Sequence, residues 1–161
     1  MRRLLALLAV PALAASAQQP FTLQQVLSAP FATSLTAAPS GPLFAWVEDA
    51  EGRRNLWIGG PNRPARALTH NTEDDAQDIA DLAWSPDAST IAYVYGAEIG
   101  NSGRPANPAH LQRPTPVEIY LQPTAGGDPV RLGEGHSPLF TRDGNSVLFI
   151  RAGQIFIACF K

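Results

Sequence analysis

Ser85-Pro86-Asp87-Ala88-Ser89-Thr90-Ile91-Ala92-Tyr93-Val94 is a polar turn that runs straight into an apolar strand. Pro and Asp suit the turn, and the β-branched and aromatic residues after it suit a pleated surface. The pattern occurs twice more. Ala38 to Val47 reads A-P-S-G-P-L-F-A-W-V, and Thr141 to Ile150 reads T-R-D-G-N-S-V-L-F-I. A second signal recurs behind each copy: Asn55-Leu56-Trp57-Ile58, Glu118-Ile119-Tyr120-Leu121 and Gln154-Ile155-Phe156-Ile157 are all polar, aliphatic, aromatic, aliphatic. Units of this kind cannot bury their own apolar faces and must stack on neighbours.

The strands fall into units. The first has Thr33–Ala37, Leu43–Glu48, Asn55–Ile58 and Ala65–Leu68. The second has Asp81–Trp84, Thr90–Tyr95, Val117–Gln122 and Pro129–Leu132. The third has Pro138–Thr141, Ser146–Arg151 and Gln154–Ala158, with no fourth strand. Ser40 and Asp87 stand 47 positions apart and Asp87 and Asp143 stand 56 apart, close to the roughly 40–50 residues of a propeller blade. The longer interval holds an insert, 96–116, rich in Gly and Pro, that reads as a long loop. The expected fold is all-β: an incomplete β-propeller of about three four-stranded antiparallel blades over 31–161, in units of about 31–69, 81–133 and 136–161.

Ahead of the blades, Arg2 and Arg3, the apolar run Leu4 to Leu13 and Ala15-Ser16-Ala17 make a secretory signal peptide over 1–17. The apolar run is shorter than the about 20 residues a membrane-spanning helix needs. The expected location is periplasmic or secreted, with no membrane partner after cleavage. Loss of the two arginines leaves a mildly acidic chain, which argues against nucleic acid. Residues 18–30 form a lead-in helix: Thr22 and Gln25 have capping-box spacing, and Leu23, Val26 and Leu27 share a face that should lie on the propeller rim.

These residues resemble the propeller of the prolyl oligopeptidase family of serine peptidases, including its dipeptidyl-peptidase and acylaminoacyl-peptidase branches. The likeness is carried by Phe21-Thr22-Leu23, Ala45-Trp46-Val47, Arg54-Asn55-Leu56-Trp57, Asp74-Asp75, Trp84-Ser85-Pro86-Asp87 and Ala125-Gly126-Gly127. It implies the non-catalytic, access-gating portion of an exported peptidase whose partner is a peptide substrate and whose α/β-hydrolase domain is missing from these residues. TolB-type periplasmic propellers share the S-P-D turn, so an interaction module without activity is the alternative.

No catalytic, cofactor or metal residue is expected. Ser137, in Gly135-His136-Ser137-Pro138-Leu139, is followed by Pro138, which lacks the N–H that would build an oxyanion hole. Cys159 has no sequence-adjacent histidine to activate it and reads as a small buried hydrophobe. His70, His110 and His136 lack ligand spacing. Trp46, Trp57 and Trp84 read as blade core, and Asp87 and Asp143 as turn anchors. Arg53, Arg54, Arg63 and Arg66 are a loose basic cluster, and an ion pair with the acidic stretch is open to them. Within Glu73, Asp74, Asp75, Asp78 and Asp81, a solvated connection between units is the plain reading. The functional one makes Glu73, Asp74 and Asp75 an acidic rim that attracts a peptide's free amine.

Overall fold

A computed structural model describes residues 21–96 and 116–160. The stretch expected to be a signal peptide and nearly all of the expected insert loop lie outside them. Among the described residues eleven strands form three antiparallel sheets, each a meander in chain order. Blade 1 is β1 (Phe31–Ala37), β2 (Phe44–Ala50), β3 (Arg53–Gly60) and β4 (Arg63–Ala67). Blade 2 is β5 (Asp78–Trp84), β6 (Thr90–Gly96), β7 (Glu118–Pro123) and β8 (Val130–Glu134). Blade 3 is β9 (His136–Phe140), β10 (Ser146–Arg151) and β11 (Gln154–Cys159). This is the incomplete propeller expected from the repeats. The first strands of the three blades neighbour one another, β1 beside β5 and β5 beside β9.

Strand alternation gives each blade two different faces. Toward the next blade, blade 1 turns Ala45, Val47, Leu56 and Ile58, and blade 2 turns Ala92, Val94, Ile119 and Leu121; this is the front. Toward the previous blade, blade 2 turns Ile91, Tyr93 and Tyr120, and blade 3 turns Val147, Phe149 and Phe156; this is the back. Aliphatic fronts therefore meet aromatic-rich backs at both interfaces. Leu56, Ile58, Ile91 and Ile119 are fully buried there, each stabilising the fold by about 1.5–3 kcal/mol.

The repeated turn is built the same way twice. In blade 2 the Ser85 hydroxyl donates to Asp87 at 2.6 Å and accepts from the Thr90 N–H at 3.0 Å, while Ser89 N–H donates to Asp87 at 3.1 Å. In blade 3 Thr141, Asp143, Asn145 and Ser146 repeat these bonds at 2.6, 3.1 and 3.2 Å. The Thr141 hydroxyl and the Asn145 groups hold the Asp143 carboxyl below its ordinary pKa.

The structure corrects several expectations. β5 begins at Asp78, not Asp81, because Asp78 and Ile79 pair with Gly96 and Tyr95; Asp81 sits at a bulge inside the strand. Helix α1 (Leu23–Leu27) has both halves of its capping box, with Thr22 and Gln25 bonded at 2.9 and 3.2 Å. Its apolar residues Leu23, Val26 and Leu27 nonetheless stay exposed instead of lying on the rim. Trp46 and Trp57 are only half-buried. They stack on each other with centroids 6.3 Å apart, on the open back of blade 1. Trp84 is also half-buried, packed at the edge of the core between blades 1 and 2. Cys159 is exposed, because alternation along β11 turns Ile155, Ile157 and Cys159 away from blade 2. Its sulfur accepts a bond from the Ser146 hydroxyl at 3.3 Å.

Candidate functional site

The acidic stretch lies in the connection from β4 to β5, and Glu73, Asp74 and Asp75 are all exposed. Two of the three are engaged by their own surroundings. Asp74 accepts the Ala76 N–H at 3.3 Å and lies over Gly52, whose missing side chain leaves room for it. Asp75 accepts the Gln77 N–H at 3.0 Å and the Tyr95 hydroxyl. Burial and the Asp75 carboxylate both push the Tyr95 pKa up, so its hydroxyl remains a donor.

Arg54 does not reach Glu73, Asp74 or Asp75. Its Nε lies 3.1 Å from Asp49 Oδ2 and 2.9 Å from Asp78 Oδ1, and its Nη1 donates to the Gln77 carbonyl at 3.3 Å. One guanidinium thus ties β2 and β3 to the start of β5. Arg53 pairs with Glu51, and Arg66 donates to the Thr124 carbonyl, joining blade 1 to blade 2. Beside Arg54 a groove of about 350 Å³ opens between the first strands of blades 1 and 2, lined by Phe31, Thr33, Ser34, Asp49, Arg54 and Asp78 among others. Its lining mixes apolar Phe31, Val47 and Ile79 with two carboxylates against one guanidinium, a surface suited to a small group of net positive charge.

A further feature was not read from the sequence. Ser34, Asp81 and Ser137 all have φ between 51° and 54°. Each precedes the turn residue Ala38, Ser85 or Thr141 by four positions, and the pairing register shifts at or beside each. The first strand of every blade therefore carries a bulge with one residue in the left-handed region. The signal was present as a small polar residue at one position of each strand, but no turn residue marks it. Across the blades, Asp81 Oδ2 accepts the Ser137 N–H at 2.9 Å.

That recurrence explains Ser137. Its positive φ and the His136 Nδ1 contact at 3.0 Å look like an activated serine. Ser34 and Asp81 share the same backbone, so the conformation belongs to the repeat. The Ser137 N–H is already bound to Asp81 and Pro138 has none, so neither can stabilise an oxyanion. His70 is exposed and His136 half-buried, while His110 falls outside the described residues. Among the described residues no three His, Cys, Asp or Glu side chains converge as metal ligands.

No family model and no curated protein matches the chain. Solved structures do. An oligogalacturonate lyase from Vibrio parahaemolyticus, itself a propeller, superposes with a TM-score of 0.53 at 16% identity. The match covers 74% of this chain and 32% of that one. A structure from a study of two prolyl endopeptidases matches with a TM-score of 0.37 at 12% identity over 83% of this chain and 30% of that one, a likeness too slight to bear on function. The chain spans about a third of these neighbours, and what the first likeness establishes is the β-propeller fold.

Proposed function

We propose that this chain is the non-catalytic propeller portion of an exported prolyl oligopeptidase family serine peptidase, gating access to the active site and helping to select peptides. The observation that carries the reading is the acidic connection. Glu73, Asp74 and Asp75 stand exposed next to the Arg54–Asp49–Asp78 network and its groove. A free peptide amine would be drawn toward that charge. The R-N-L-W strand and the acidic loop ahead of W-S-P-D, in which this chain resembles the family, support the same assignment.

The test is the coding frame beyond Lys161. A hydrolase domain with G-x-S-x-G followed by Asp and His is expected. A frame without one overturns the peptidase reading and leaves a TolB-like interaction module. In an enzyme so completed, Glu73→Gln with Asp74→Asn should raise KM for substrates with a free amino terminus, with kcat held.

A further inference from the structure

All three tyrosines of this chain, Tyr93, Tyr95 and Tyr120, gather in one cluster where blade 2 meets blade 1. The cluster lies inside the array, at a contact between two described blades, and not on either end face. Strand pairing brings the rings together. Tyr93 and Tyr95 alternate onto one face of β6, and Tyr93 pairs with Tyr120 on β7. Tyr95 meets Tyr120 edge to face with ring centroids 6.2 Å apart, while Tyr93 stacks on Tyr120 at 5.7 Å with planes 19° apart. Tyr93 is buried, and Tyr95 and Tyr120 are half-buried and reach solvent. Those two each donate their hydroxyl to a carboxylate, Tyr95 to Asp75 and Tyr120 to Glu118 at 2.9 Å. No carboxylate among the described residues accepts the Tyr93 hydroxyl.

A phenol gives up an electron far more readily when a base takes its hydroxyl proton in the same step. We propose that Tyr95 and Tyr120 are an oxidative cross-linking site that joins β6 to β7 through a dityrosine bond. Each phenol gives one electron to a one-electron oxidant, of the kind a haem peroxidase makes from hydrogen peroxide, and its proton to the carboxylate it already faces. The two phenoxyl radicals couple through ring carbons ortho to oxygen, forming one C–C bond. The hydrogen on each coupled carbon then moves to a phenolic oxygen and restores both rings. In balance the pair loses two electrons and two protons, and two equivalents of oxidant are reduced. Tyr93 is the wrong partner for Tyr120: its ring offers a face instead of an edge, it is buried, and its hydroxyl has no base beside it. The bond also supplies what the sequence lacks. Cys159 is its single cysteine, so these residues hold no internal disulfide. Tyr95 and Tyr120 stand 25 positions apart, and joining them restricts the unfolded chain as a disulfide does. The site stands or falls independently of the peptidase assignment.

The experiment oxidises the purified chain, at a dilution that keeps molecules apart, with photogenerated tris(bipyridine)ruthenium(III). Dityrosine fluorescence and intact mass are the readouts. Wild type should yield a fluorescent monomer lighter by two hydrogen atoms, with a raised Tm. With only three tyrosines present, single variants locate the bond. Tyr95→Phe should abolish the monomeric product, and Tyr93→Phe should keep it. Asp75→Asn with Glu118→Gln leaves every tyrosine in place but removes both bases, and should slow formation at least about tenfold. Circular dichroism checks the fold of each variant. A wild type that yields no monomeric dityrosine overturns the proposal. So does product in Tyr95→Phe, its loss in a folded Tyr93→Phe, or an unchanged rate in the carboxamide double variant. Should the double variant unfold, Asp75→Asn alone, at an exposed side chain, replaces it, and an unchanged rate again overturns the proposal. Should Tyr93→Phe unfold, Tyr95→Phe decides the partner.

Discussion

At the scale of single residues, backbone strain decides which side chains matter. Asp81 occupies the left-handed region and also accepts the Ser137 N–H from the next blade. Asp81→Ala keeps the strain and gives up this exposed hydrogen bond, so it should destabilise by about 0.5–1.5 kcal/mol. Asp81→Asn keeps an acceptor and tolerates positive φ, and should lose less; urea melts of both variants measure the difference. The opposite sign is expected at Ala152. It has a φ of 49° in the two-residue β10–β11 turn, is exposed, and precedes Gly153 at 74°. Ala152→Asn supplies the Asn-Gly pair that such a turn favours and should stabilise by about 0.5–1 kcal/mol, read as a higher Tm.

Among the elements, the β7–β8 pair carries a charge that reports on pH. Arg131 lies 2.5 Å from Glu118, and the Tyr120 hydroxyl donates to the same carboxylate at 2.9 Å. Arg131 is the main cause of a Glu118 pKa below its ordinary value, with Tyr120 adding to it against burial. The folded chain therefore takes up this proton only at lower pH than the unfolded chain does. The stability it contributes is present at neutral pH and is lost as the pH falls through about 4 toward the folded value. Glu118→Gln should flatten the fall in Tm on acidification by lowering the neutral Tm toward the acid value, and only modestly, since Arg131 is exposed at the surface. A wild-type and a variant melting series that run parallel from pH 6 to pH 3 would contradict this.

For the whole molecule, the buried apolar core lies where one blade meets the next. Ile119 is fully buried between blades 2 and 3, whereas Ile157 holds the corresponding strand class at the open end. Ile119→Ala should cost about 2–5 kcal/mol. Ile157→Ala, at a side chain 63% exposed, should cost much less in the same melt. Function follows the same geometry. The charged groove sits where the first strands of two blades adjoin, and Ser137, though exposed and beside a histidine, belongs to a structural bulge. The purified chain should hydrolyse no peptide, and Ser137→Ala should leave that unchanged; turnover abolished by the substitution would overturn this account of the serine.

The three turn-strand repeats, their order and their antiparallel pairing were legible in the residues alone. Turn chemistry and strand alternation act over a few positions, so S-P-D before T-I-A-Y-V announces its own conformation. The capping box at Thr22 was legible for the same reason. Tertiary structure alone decided what depends on a neighbour distant in the chain. It put Arg54 on Asp49 and Asp78, gave Asp75 to Tyr95, and turned Cys159 and Trp46 outward. The composition of an apolar strand is the same whether another blade covers it or not. Only the number of blades and the direction of each pleat determine which faces end up buried and which remain open.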